Sequence, residues 1–169
     1  MSKKDLKNYL SGLKKSQLEE QILDLYDRFK PVKVFYDFAF NPQEEKLLDE
    51  AKLKIGKEYF PLSKRKPKKR RSIAQKWIAH FRKIEMDPAL VADLMLFNIE
   101  TAQAFTAEKP ITQAAFYKSM LTSHSEAVAY ISDQGLYPGF SVRLERIAEV
   151  AKEQDWENAA QFTFKLSKQ

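Results

Sequence analysis

The chain has 169 residues, a net charge of +6, 44% hydrophobic and 12% aromatic residues, and no cysteine. A chain of this length buries roughly 70% of its unfolded surface and can hold a real core, and this apolar content excludes a disordered chain. The missing thiols exclude disulfide scaffolds, thiolate metal sites and thiol catalysis, and they point to a reducing cytoplasm.

The segment Met1 to Asp5 becomes charged before any apolar stretch long enough for a signal peptide, and no apolar run reaches membrane-spanning length. The expectation is a cytoplasmic chain with no membrane insertion. Ser16 with Glu19 has the spacing of a capping box ahead of Leu18, Ile22, Leu25, Tyr26 and Phe29, which share one helical face and predict a helix ending near Lys30. Val32 to Phe40 alternates in strand fashion, yet nothing else in the chain could pair with it, so a short helix after Pro31 is predicted. Asn41-Pro42 with Glu44 starts a helix through Leu47, Leu48, Ala51 and Ile55. Ser72 with Gln75, Asp87-Pro88, and Thr112 ahead of Gln113 to Ser132 are further starts. Gly135 suits a helix C-terminus, Phe140, Leu144, Ile147 and Ala151 form another apolar face, and a last helix is predicted over Trp156 to Leu166. The sum is an all-α chain, a compact multi-helix bundle of about seven to nine helices, with a short array of helical pairs as the alternative. It reads as one helical domain, or as two packed halves, 1–61 and 72–169, joined by a basic loop over 62–71.

That loop is the most specific signal. Lys64, Arg65, Lys66, Lys68, Lys69, Arg70 and Arg71 place seven cations in eight positions, and without them 22 basic residues face 23 acidic ones. The basicity is therefore local, and mutual repulsion keeps such a run extended and hydrated unless an anion offsets it. Arg70 and Arg71 precede Ser72, the expected N-cap, so the amides of Ile73, Ala74 and Gln75 and the positive end of the helix dipole would adjoin two guanidinium groups. Lys76, His80 and Lys83 continue the positive stripe beside the apolar stripe of Ile73, Trp77, Phe81 and Ile84. The bland alternative is a solvated loop with Ser72 only a cap.

Other constellations are weaker. The rings of Phe35, Tyr36, Phe38, Phe40, Tyr59 and Phe60 could stack bases, but their helical spacing favours a core. His124 lies among Tyr117, Met120, Leu121 and Val128, where a hydrogen-bonded core histidine is the simpler reading. Asp93, Asn98 and Glu100 interrupt an apolar stretch and need partners, for Asn98 an interhelical hydrogen bond. No catalytic residue, metal ligand or cofactor is assigned, since neither a phosphate-cradling glycine loop nor a zinc-protease pair nor a nucleophile elbow occurs.

Three stretches, Gln17 to Lys52 (QLEEQILDLYDRFKPVKVFYDFAFNPQEEKLLDEAK), Lys66 to Phe81 (KPKKRRSIAQKWIAHF) and Ala92 to Phe105 (ADLMLFNIETAQAF), resemble a family of small bacterial cytoplasmic proteins catalogued as a domain of unknown function. The resemblance covers nearly the whole chain and brings no activity or catalytic residue with it. The functional expectation is a noncatalytic helical binding domain that contacts an anionic partner, nucleic acid first, through residues 64–83. A protein-interaction or assembly module using exposed aromatics is the alternative, and an enzyme with a carboxylate site around Asp93 and Glu100 is a third.

Overall fold

The structure is a computed structural model, and it describes residues 2–62 and 65–162. Among the described residues the chain is all-helical, with eight α-helices, one 3₁₀ turn and no strand. They form two compact units that divide between Gln43 and Glu44, so the described part of the basic segment lies within the second unit.

The first unit holds α1 (Lys3–Ser11), α2 (Lys15–Arg28) and α3 (Lys30–Phe40). Ser2 caps α1 reciprocally: its hydroxyl accepts from Asp5 N at 3.2 Å and its amide donates to Asp5 Oδ2 at 2.8 Å. The expected capping box at Ser16 does not form. Helix α2 starts two residues earlier, with Lys14 as N-cap, and Gln17 Oε1 accepts from Lys14 N at 2.9 Å. Phe29, in extended conformation, breaks the chain between α2 and α3. Pro31 then sits in the first turn of α3, where its missing N–H costs no hydrogen bond, so the alternating stretch Val32 to Phe40 is helical as its lack of a pairing partner requires. Helices α2 and α3 pack on each other, yet no residue of α1, α2 or α3 is buried.

The second unit is built around α6 (Pro88–Glu108), against which α4 (Glu44–Tyr59), α5 (Arg71–Lys83), α7 (Ala114–Asp133) and α8 (Tyr137–Glu153) all pack. Asp87 caps α6 as its Asn/Asp-Pro signal predicts, its Oδ1 accepting from Ala89 N at 2.7 Å. Buried residues such as Val91, Leu94, Leu96, Ile99 and Phe105 cover well over half of the circumference of α6, and the remaining face, with Asp93, Glu100, Ala104 and Ala107, is half-buried or exposed. The faces of α4 (Leu48, Ala51, Ile55, Tyr59) and α8 (Leu144, Ile147, Ala151) complete the core. Gly135 ends α7 at φ +67°, its amide donating to Ser132 O and that of Leu136 to Ile131 O. After α8, Trp156 and Phe162 seal the end of the core around a 3₁₀ turn at Ala159–Gln161. The predicted last helix is therefore a turn as far as Phe162, and its remainder lies outside the described residues.

Candidate anion-binding surface

Lys64 lies outside the described residues, and Arg65 to Arg70 form an irregular segment between α4 and α5. The segment is held in place rather than loose. The amides of Lys68 and Lys69 both donate to Glu58 O, at 2.9 and 3.0 Å. Lys69 takes a left-handed conformation, φ +54°, and sets its Nζ over the Phe105 ring at 5.6 Å. Arg70 donates from Nε and Nη2 to the two oxygens of Glu58, at 2.9 and 2.7 Å. The Arg70 guanidinium holds the Glu58 carboxyl below its ordinary range, against the opposing effect of partial burial.

Helix α5 begins at Arg71, with Arg70 as N-cap and no side-chain cap. This corrects the expected start: Ser72 is an exposed residue of the first turn, and Ile73 N donates back to Arg70 O at 3.2 Å. The physical reason is tertiary. Arg71, less than a fifth exposed, donates to Ser123 Oγ on α7 at 2.7 Å and to Glu126 Oε2 at 2.5 Å. These bonds require Arg71 to be the first helical residue and outweigh a serine cap, which contributes about 1 kcal/mol. Arg70 and Arg71 are thus committed to carboxylates of the second unit.

The other cations face solvent. Arg65, Lys66 and Lys68 are exposed on the segment, and Lys76 and Lys83 on α5, with His80 half-buried beside Trp77 at 6.1 Å between ring centroids. Arg65, Lys66, Lys76 and Lys83 pair with no carboxylate among the described residues. On α4 and the start of the loop after it, Leu53, Lys57, Phe60 and Leu62 line a shallow apolar hollow of about 400 Å³ with Lys52 and Phe97. Sequence reasoning missed Glu58, Ser123 and Glu126, which sort the cations into anchors and exposed groups, because pairs 12, 52 and 55 residues apart leave no trace in periodicity.

Asp93 and Glu100 do converge, but on a cation. Arg143 donates to both Glu100 oxygens, at 2.9 and 2.8 Å, and to Asp93 Oδ1 at 2.6 Å, while Lys52 Nζ meets Asp93 Oδ2 at 2.6 Å. Burial opposes ionisation of Asp93, but Lys52 and Arg143 outweigh it and hold its pKa below the usual value. The network clasps α4, α6 and α8 together. Among the described residues no group of three acidic or histidine side chains could hold a metal ion. His124 is buried against Phe162, at 5.0 Å between centroids, and its Nε2 has no partner among the described residues. Asn98 Oδ1 is likewise unpaired. The interhelical hydrogen bond expected of Asn98 belongs instead to Gln103, whose Nε2 donates to Ile147 O at 2.7 Å.

The model of a family of unknown function, DUF6155, matches residues 1–168 of the chain. No curated protein and no solved structure matches it.

Proposed function

The chain belongs to DUF6155, and we propose from its own residues that it is a noncatalytic helical binding domain whose second unit contacts an anionic partner, nucleic acid first, through the basic segment and the adjoining face of α5. The observation that carries this reading is the division among the cations. Arg70, Arg71 and two backbone bonds fix the segment, and Arg65, Lys66, Lys68, Lys76 and Lys83 remain exposed around it. A fixed array loses less conformational entropy on binding than a loose run of the same charge. Lys76 and Lys83 lie about 10 Å apart along α5 at 1.5 Å per residue, a span of about three nucleotide steps. Contacts of this type go to phosphates and carry little sequence preference. The absence of cysteine from all 169 residues supports a reducing, cytoplasmic setting, which we take to be bacterial; no helix among the described residues is long and apolar enough to cross a membrane.

Fluorescence anisotropy of labelled single-stranded and duplex DNA and RNA over a salt series tests the reading. With four or five phosphates engaged on duplex DNA, log affinity should fall with log salt at a slope of about −4. The variant Lys66→Glu/Lys68→Glu/Lys76→Glu should lose the binding at unchanged melting temperature. No binding at low salt rules nucleic acid out as the partner, and binding with a flat salt dependence overturns the phosphate-contact mechanism.

A second reading, a protein-interaction or assembly module, is favoured by the first unit, where Leu23 is 64% and Phe40 85% exposed.

A further inference from the structure

The first unit has the composition of a folded element and the burial of an unfinished one. Its 43 residues fall near the size at which single domains need disulfides, metals or association to be stable, and the chain has no cysteine. Across α2 and α3 a hollow of about 600 Å³ is lined by Ile22, Leu23, Tyr26, Tyr36, Asp37 and Phe40. Its walls are ordered by the Tyr36 and Phe40 rings, stacked at 6.2 Å. Beside Asn41 and the Tyr36 hydroxyl, two of its polar groups satisfy each other, Tyr26 donating its hydroxyl to Asp37 Oδ1 at 2.6 Å, and Lys33 Nζ stands 5.4 Å from the centre of the Tyr26 ring. Closing the hollow therefore keeps the Tyr26–Asp37 pair hydrogen-bonded, with the Lys33 cation against the Tyr26 ring.

Building on the assembly reading, we infer that α2 and α3 are the interface of a homodimer, two hairpins packing face to face about a two-fold axis into a four-helix bundle. Charge and area select a second copy as the occupant. Helix α2 carries Glu19, Glu20, Asp24 and Asp27 against Lys15 and Arg28, while α3 carries Lys30 and Lys33 against Asp37. An isologous pairing that sets α2 of one copy on α3 of the other apposes an acidic helix with a basic one, twice. Phe40, at 85% exposed, and Leu23, at 64%, together with Ile22 and the half-buried Tyr26 and Tyr36 rings that line the hollow, present on the order of 400 Å² of apolar surface, given about 200 Å² for a large ring. A standard interface of about 800 Å² per partner, somewhat over half of it apolar, needs about that much.

Sedimentation velocity of the full chain over a concentration series reads the outcome. The expected result is a reversible species of twice the 19.7 kDa chain mass, with Leu23→Glu and Phe40→Glu each weakening association at least tenfold at unchanged helix content. Glu19→Lys, on the Ile22–Leu23–Tyr26 face of α2, and Lys30→Glu/Lys33→Glu should each dimerise poorly alone and associate when mixed. A monomer at every concentration, or a dimer indifferent to Leu23→Glu and Phe40→Glu, overturns the inference. A monomer that captures another protein through the hollow overturns it too, while keeping the broader interaction reading.

Discussion

Arg71 and Lys66 carry the same charge five positions apart, and their surroundings give them opposite roles. Arg71 bonds Ser123, which is 7% exposed, so Arg71→Ala leaves a buried hydroxyl and a carboxylate without their donor. The expected cost is about 2 kcal/mol, or roughly 4–8 °C in melting temperature for a chain of this size, read by thermal unfolding under circular dichroism. Lys66→Glu should move the melting temperature hardly at all, surface substitutions staying within about 0.5 kcal/mol. Equal losses from the two would mean that the segment is not divided into anchors and exposed groups. His124 supplies a second residue-scale expectation. Burial pushes its pKa down to about 4, so the folded chain holds it neutral while the unfolded chain, near 6.5, protonates first. Stability is then full above about pH 6.5 and falls as the pH drops toward 4, by on the order of 3 kcal/mol at 1.36 per unit. The paired carboxylates Glu58 and Asp93, whose pKa values are lowered, begin to lose their contribution only as the pH falls through the ordinary carboxylate range, below the onset for His124. Denaturant midpoints between pH 7 and 4 should show this slope, and His124→Leu should remove it; an unchanged slope would assign the acid sensitivity elsewhere.

At the scale of elements, what could be read from the sequence depended on how local the controlling force is. Helix α6 was legible because an apolar run opened by Asp87-Pro88 needs no distant partner to be helical. Gly135 was legible for the same reason, since a left-handed helix end is a local property. Helix α3 was legible only by elimination: its alternating rings suit a strand, and the absence of a pairing strand together with Pro31 made it a helix. The caps expected at Ser16, Ser72 and Thr112 fell two, two and one residues from the observed ones, Lys14, Arg70 and Gln113. A cap of about 1 kcal/mol yields to packing of comparable size. The candidate surface was half legible. Its cations are in the sequence, whereas their sorting depends on Glu58, Ser123 and Glu126, contributed by α4 and α7, and no spacing within residues 64–83 encodes that.

For the whole molecule the contrast between the units becomes a statement about local stability. Twelve residues of α6 are buried, whereas none in α1, α2 or α3 is, and opening free energy follows buried apolar contact. Amides of α6 should therefore exchange only through the largest opening, and those of α2 and α3 through small ones, at protein concentrations too low for association. Dimerisation through α2 and α3 changes this for one unit alone. At ten times the dissociation constant, linkage adds about 1.4 kcal/mol to the opening of the elements that form the interface, a tenfold slowing of exchange. Hydrogen exchange followed at two protein concentrations should then show α2 and α3 slowing about tenfold and α6 staying constant, and Phe40→Glu should cancel the difference. Protection in α2 and α3 that matches α6 at every concentration would mean that the first unit's stability does not depend on a second copy.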